Sequence, residues 1–241
     1  MTTLGRDTKI TWFGHATFLY ETPGGKRIMI DPWVYENPSC PDNLKDFGSL
    51  DAMLITHGHF DHIVDAVGVA QATRPRQIVS IFEIENWLGR KGVENTVGMN
   101  KGGTVDVQGV RVTMLHADHS CGITDDDGSI IYGGEAVGYL LELENGLRIY
   151  QSGDTAIFGD MRLYGELFRP EVAVLPIGDY FTMDPRQAAY AAEMLGVKYV
   201  IPSHYGTFPI LTGTPQMLRD ELVKRGYECH VFEPKPGETV S

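Results

Sequence analysis

Three histidines and an aspartate, His57, His59, Asp61 and His62, fall within the six residues from position 57 to 62, directly behind the apolar pair Leu54-Ile55. Neutral imidazole nitrogens and carboxylate oxygens are the donors that zinc, manganese and iron accept, so this density points to a divalent cation site. In an extended segment residues two apart point the same way, which lets His57 and His59 address one ion together. Gly58 between them gives the backbone freedom to turn. Asp61 and His62 then open the following helix and face a second ion. Other residues of the same chemistry close apolar segments elsewhere in the chain: Asp31 closes "IMIDP", His116 and His119 follow "VTML", Asp154 follows "LRIYQSG", and His204 follows "YVIPS". Strand ends on one edge of a sheet converge in space although they are distant in sequence. That is more donors than one metal needs. A structural zinc would be closed by four ligands and usually includes cysteine, so the distribution favours a binuclear centre.

The elements that must hold these residues are legible in outline. "KITWFGHATFLYET", "KRIMIDP", "AMLITH", "QIVSIF", "GVRVTMLHA", "AVGYLLELENGLRIYQSGD", "VAVLPIG" and "KYVIPSH" read as strands. "HIVDAVGVAQATR", "FEIENWLGRKG", "DPRQAAYAAEMLG" and "TPQMLRDELVKRG" carry helical patterns. In the third of these, Asp184 before Pro185 fits an N-cap followed by proline at the first helical position. The early strands form hairpins, for example around Pro23-Gly24-Gly25, and strand and helix alternate later. An α+β arrangement with helices outside two mixed sheets fits this order, and residues 1–241 are expected to form one domain.

Composition narrows the function classes. Hydrophobic residues at 42% and charged residues at 22% suit a globular chain with a full core. A formal charge of −12 argues against a protein built to hold nucleic acid, which needs a basic surface to release counterions. Cys40, Cys121 and Cys229 are odd in number and form no C-x-x-C pair, so they read as reduced thiols and favour the cytoplasm. No stretch approaches the ~18 apolar residues of a membrane span and the N-terminus lacks the pattern of an export signal. A small-molecule substrate is the expected partner, without nucleic acid or membrane, and the sequence leaves the formation of a homo-oligomer open.

"THGHFDH" matches the H-x-H-x-D-H signature of the metallo-β-lactamase superfamily, and "IDP", "HADHS", "SGDT" and "PSHYGTFP" follow that family's order around it. The resemblance covers roughly residues 8 to 236. More narrowly, "WFGHATFL", "YGGEAVGY", "IGDYFTM" and "VIPSHYGTFP" resemble bacterial and archaeal metal-dependent hydrolases of the UPF0173 kind, related to ascorbate-6-phosphate lactonases. This resemblance implies a four-layer αββα sandwich with two divalent cations at one edge of the paired sheets. It implies that His57, His59 and His119 hold the first, that Asp61, His62 and His204 hold the second, and that Asp154 bridges them. Asp31 would orient the histidine cluster from behind. Because the family pattern ends in "HS", His119-Ser120 matches better than His116, which becomes a neighbour of the site or a buried histidine.

The departures also count. A di-iron redox branch replaces the second histidine of the cluster by glutamate, and this chain keeps His59. Antibiotic-cleaving members commonly place a cysteine on the second metal, and none of the cysteines here stands at a matching place. The expected chemistry is therefore hydrolysis of a small ester or lactone, phosphorylated or otherwise anionic, by a hydroxide shared between two cations, with Asp61 and Asp154 as the carboxylates engaged in catalysis. Neutral imidazole suits zinc, and manganese or iron also accept this donor set. Two alternatives stand beside it: a phosphodiesterase or nuclease, and a metal-bearing sensor without turnover. His15 fits either the edge of the active site or a hydrogen-bonded place in the core, Glu135 fits either a substrate contact or a hairpin, and Tyr205 and Thr207 stand near the metals through His204. Asp179, Tyr180, Phe181 and Met183 fit either the pocket or the core. Cys121 reads as a small apolar filler, and "TDDDGS" as a solvated loop.

Overall fold

The computed structural model describes residues 4, 5 and 7–241. Six strands in the first half, β1 (Lys9–Gly14), β2 (Thr17–Glu21), β3 (Arg27–Ile30), β4 (Ala52–Leu54), β5 (Gln77–Ile81) and β6 (Thr96–Met99), build one sheet. The next two, β7 (Thr104–Val107) and β8 (Val110–His116), begin a second. A separate hairpin of β9 (Gly122–Thr124) and β10 (Ile130–Tyr132) follows. The second sheet is completed by β11 (Val137–Glu142), β12 (Arg148–Gln151), β13 (Val172–Pro176), β14 (Tyr199–Ser203) and β15 (His230–Val231), and β16 (Thr239–Val240) returns to the first.

The strand orders are β16-β1-β2-β3-β4-β5-β6 and β15-β14-β13-β12-β11-β8-β7. In each sheet one half is antiparallel and the other parallel: β3 to β6 run together in the first, β12 to β15 in the second. Because β8 and β12 are both antiparallel to β11, they end at the same edge. By the same logic β1 ends beside β3, since both pair antiparallel with β2. Directions alone therefore bring the residues after β1, β3 and β4, and those after β8, β12 and β14, to one edge of their respective sheets.

Side-chain alternation explains the layers. In β13, Val172 and Val174 join the core between the sheets, while Ala173 and Leu175 face the other way and pack with the outer helices. Tyr139, Leu141 and Ile149 point inward, and Leu140 and Tyr150 outward, in the same fashion. Two hydroxyls tie the sheets across this core: Tyr139 Oη donates to Ile55 O at 2.6 Å and Tyr20 Oη to Gln151 Oε1 at 2.6 Å.

The helices are α1 (Phe60–Ile63), α2 (Ala66–Thr73), α3 (Phe82–Arg90), α4 (Met161–Phe168), α5 (Pro185–Leu195) and α6 (Pro215–Arg225). Helices α2 and α3 bury residues against the first sheet, and α4, α5 and α6 against the second, which completes the expected α+β sandwich. Asp184 caps α5 by accepting from Gln187 N at 2.7 Å, and Gly196 ends it in the left-handed conformation. The single helix expected over "HIVDAVGVAQATR" is instead broken between α1 and α2. Asp65 sits at the break, its carboxylate drawn away to the loop amides of Val34 (2.6 Å) and Tyr35 (2.8 Å). Among the described residues no helix is long and apolar enough to cross a membrane.

Candidate metal centre

Every candidate donor stands just beyond a strand end at the shared edge. His57 is fully buried after β4, His59 is the residue before α1, and Asp61 and His62 occupy its first turn. The expected turning role of Gly58 is corrected: a β-carbon there would meet Ile123 Cγ1 at 2.5 Å, so the glycine admits the hairpin β9–β10 against the cluster. Three of the residues at this edge, His15, Asp31 and His204, hold left-handed backbones with φ of 54°, 50° and 54°. Non-glycine residues keep that conformation only where their surroundings impose it. For His15 the cause is visible, because its carbonyl accepts from both His204 N at 2.9 Å and Trp12 Nε1 at 3.0 Å.

Besides the trio of Asp31, His57 and His62 that lies behind them, donor atoms of the described residues converge in two groups. His57, His59 and His119 form one, with His57 Nε2 3.0 Å from His59 Nδ1. Asp61, His62 and His204, joined by His15, form the other, with His204 Nε2 3.6 Å from Asp61 Oδ2. Asp154 Oδ2 lies between the groups: it is 3.0 Å from His204 Nε2, 3.3 Å from His62 Nε2, 3.8 Å from His119 Nε2 and 3.9 Å from His57 Nε2. One carboxylate oxygen thus faces four imidazole nitrogens.

The hydrogen bonds behind the rings settle which nitrogens are free. Asp31, fully buried, accepts from Thr56 N at 2.7 Å, from Thr56 Oγ1 at 2.6 Å and from His62 Nδ1 at 2.8 Å. With the Thr56 proton committed to Asp31, Thr56 Oγ1 accepts from His57 Nδ1 at 3.1 Å. Both His57 and His62 therefore aim Nε2 into the centre. His62 Nε2 is buried and lacks any hydrogen-bond partner, although Asp154 is close by. His59 Nε2 is paired with Ser120 Oγ at 3.2 Å, leaving Nδ1 toward His57. Convergent imidazole nitrogens around carboxylates, preoriented from behind, fit divalent cations in both groups.

Charge divides the two groups. Burial, reinforced by the neighbouring histidines, holds His57 well below the ordinary histidine range, and burial likewise lowers His59 and His119. Burial also opposes charge on His62 and His204, but Asp154, with Asp31 and Asp61 at His62, outweighs it: His62 is raised well above its ordinary value and His204 to about 9. Asp61 and Asp154 are held low despite burial by the histidines around them.

The remaining candidates sort by position. His15 is fully buried and donates through Nε2 to Asp61 Oδ2 at 2.9 Å, while Thr207 Oγ1 donates to its Nδ1 at 2.9 Å. Burial lowers His15 to about 4, so the ring is neutral and fixed in this tautomer. His116 is not brought to the donor groups; its Nδ1 faces Lys101 Nζ at 3.4 Å and its ring packs on Phe158. Glu135 pairs with Lys101 on the surface, and Tyr205 stacks on Trp12 with centroids 5.0 Å apart. Cys121 is buried, turned to Gly133 O, and pushed up to about 11 by that burial.

A cavity of about 590 Å³ opens over the centre, lined by His59, Asp61, His119, Asp154 and His204 together with Phe60, Ser120, Thr124, Phe181, Phe208 and Ile210. Neither Glu135 nor Tyr205 lines it, and of the "GDYFTM" residues only Phe181 does, Met183 being buried in the core. Sequence reasoning did not single out Thr56, Phe60, Phe208 or Ile210. The signal available for each was adjacency, since all stand within six residues of a donor histidine in "THGHFDH" or "SHYGTFPI".

Residues 9–204 match the Beta-lactamase superfamily domain. The chain belongs to the metallo-β-lactamase superfamily. Within it, the chain is 57% identical over 233 residues to a UPF0173 metal-dependent hydrolase of Koribacter versatilis, with 97% of each chain covered. A UPF0173 metal-dependent hydrolase of Roseiflexus castenholzii is 53% identical over 246 residues, covering 100% of both. Among solved structures, Igni18, a metallo hydrolase from the hyperthermophilic archaeon Ignicoccus hospitalis, superposes with a TM-score of 0.83 at 35% identity over 97% of each chain. These relatives place the chain among metal-dependent hydrolases of the metallo-β-lactamase fold.

Proposed function

We propose that this metal-dependent hydrolase acts on small esters or lactones at a binuclear centre, with zinc the cation its imidazole-rich donors suit best. The observation that carries the reading is the position of Asp154 Oδ2 within 3.0 to 3.9 Å of four imidazole nitrogens drawn from both groups. A carboxylate so placed would help to hold a cation in each group. When bound, the two ions would supply Lewis acidity toward a carbonyl oxygen and a water nucleophile near neutral pH. Asp154 would keep the groups together, Asp61 would hold the second with its free geometry limited by His15, and Asp31 and Thr56 would aim His62 and His57. The water oxygen bonds to the acyl carbon, the bond from that carbon to the leaving oxygen breaks, and the leaving oxygen takes a proton, giving a carboxylate and an alcohol.

Side-chain nucleophiles have no part in this scheme. Cys121 faces away from the cavity as a protonated thiol, and Ser120 is engaged by His59. The test is elemental analysis of the purified protein followed by a panel of lactones, carboxyl esters and phosphodiesters on the same sample. Two equivalents of metal with ester or lactone turnover is the expected result. Turnover confined to phosphodiesters, or a metal-replete protein inert toward every class, would overturn the reading.

A further inference from the structure

Among the described residues, the cavity lining carries two carboxylates, Asp61 and Asp154, and neither lysine nor arginine. Outside the donor residues it consists of Phe60, Phe181, Phe208 and Ile210, with Ser120 and Thr124 as the polar members. The aromatic part is built rather than incidental. Trp33 is buried beneath it, stacks on Phe208 at 6.0 Å and meets Phe60 edge-on at 5.7 Å, so the two rings share one support. Phe60 and Phe181 are nonetheless 55% and 54% exposed, which is an unfavourable place for phenyl groups that nothing covers. The lysines on neighbouring loops are already committed, Lys101 to Glu135 and Lys91 to Asp125 and Asp126, and neither lines the cavity.

We infer that the site selects a neutral substrate bearing a flat apolar group, an aryl ester or lactone, and rejects one with a second anionic group such as a phosphate. This rests on the hydrolytic reading above and deepens it. Cations in the two donor groups would engage the reacting carbonyl. A phosphate or carboxylate elsewhere on the substrate would then lose its water against phenyl rings with no cation to replace it. A ring laid against Phe60, Phe181 and Phe208 gains apolar burial and ring–ring contact. The anionic substrate expected from family resemblance is, on this argument, the disfavoured one.

The test uses binding rather than turnover. Calorimetric titration of the metal-loaded full chain with acetohydroxamate, benzohydroxamate and 4-carboxybenzohydroxamate keeps the metal-seeking group constant and varies only what meets the wall. Benzohydroxamate should bind at least about tenfold tighter than acetohydroxamate, because burying a phenyl face is worth more than the ~1.4 kcal/mol that a tenfold ratio represents. The added carboxylate should erase that gain. Phe181→Ala and Phe208→Ala should each weaken benzohydroxamate while leaving acetohydroxamate unchanged. Equal affinity for the first two, or tighter binding of the carboxylated probe, would overturn the inference. Should these ratios hold while no ester is hydrolysed, the reaction assigned above fails and the pocket chemistry stands; ester turnover without the ratios is the reverse. No binding of any hydroxamate would sink both.

Discussion

Asp154 lies between the two donor groups, yet they are built on opposite electrostatic plans. Behind His57 and His59 stand hydroxyls, Thr56 and Ser120, and two of the three histidines, His59 and His119, reach the cavity. Behind His62 stands the buried carboxylate of Asp31, and Asp61 adds a second charge that His15 steadies. The first group is therefore a set of neutral imidazoles, lowered in pKa by burial, that accept a cation without giving up a proton. The second is an anionic pocket in which His62 and His204, both raised in pKa, carry protons until a cation displaces them. The contrast teaches that donor type alone does not define a metal site; the groups behind the donors decide how each set would trade protons for a cation.

Removing the element common to both halves should have the largest effect. Asp154→Asn keeps the volume but takes away the charge that four imidazoles face. Turnover should fall by roughly 10³-fold or more, since each cation contributes several kcal/mol to the reaction. Metal content should drop below two equivalents by elemental analysis. Retention of both metals with near-normal rate would mean that the halves are independent and Asp154 is no bridge.

The second expectation concerns pH and separates the halves. His204 titrates near 9 in the metal-free protein, so below that pH its ring holds a proton that binding must expel. Affinity of the second group for its cation should accordingly rise with pH through that region, His62 adding a second proton to expel. The first group, whose histidines titrate below their ordinary value, should show constant affinity from pH 7 upward. Chelator-buffered metal titrations at pH 7 and pH 9 should show one binding step tightening by about tenfold or more and the other unmoved. Two steps that shift equally would erase the distinction.

Much of this contrast was open to sequence reasoning, and the part that was not has identifiable causes. The donor residues announce themselves because imidazole and carboxylate at strand ends are chemically unusual, and α5 does so because Asp184 and Gly196 are local signals. Helix α4 went unread: "MRLYGELF" is short and carries Gly165, which depresses helix propensity. The structure needs that glycine, since a β-carbon there would strike Met194 O at 2.6 Å where α4 crosses α5. Strands β15 and β16, two residues each, have no periodicity to detect, and β6 is half-exposed at a sheet edge. The hairpin β9–β10 lay hidden beside a run of aspartates. Above all, Thr56 and Trp33 act through partners 25 and more residues distant or across a stacking contact, which no spacing rule reveals.

The smallest expected effect tests how far the charged support of the second group extends. Thr207 touches no donor atom of a bound cation; its hydroxyl fixes the proton of His15 on Nε2, and His15 then holds Asp61. Thr207→Val removes one buried hydrogen bond worth about 1 kcal/mol and frees His15 to adopt the other tautomer, which would turn a bare nitrogen toward the Asp61 carboxylate. The kcat/KM should fall by up to about tenfold, a loss at the low end for groups that orient metal ligands from behind. Thr207→Ser, which keeps the donor without the methyl, should retain the rate, whereas a purely steric role would leave valine near normal and serine impaired. The same substitution should leave the first group's cation affinity untouched. If instead both binding steps weaken together, the support of Asp61 is transmitted through Asp154, and the two plans are one network.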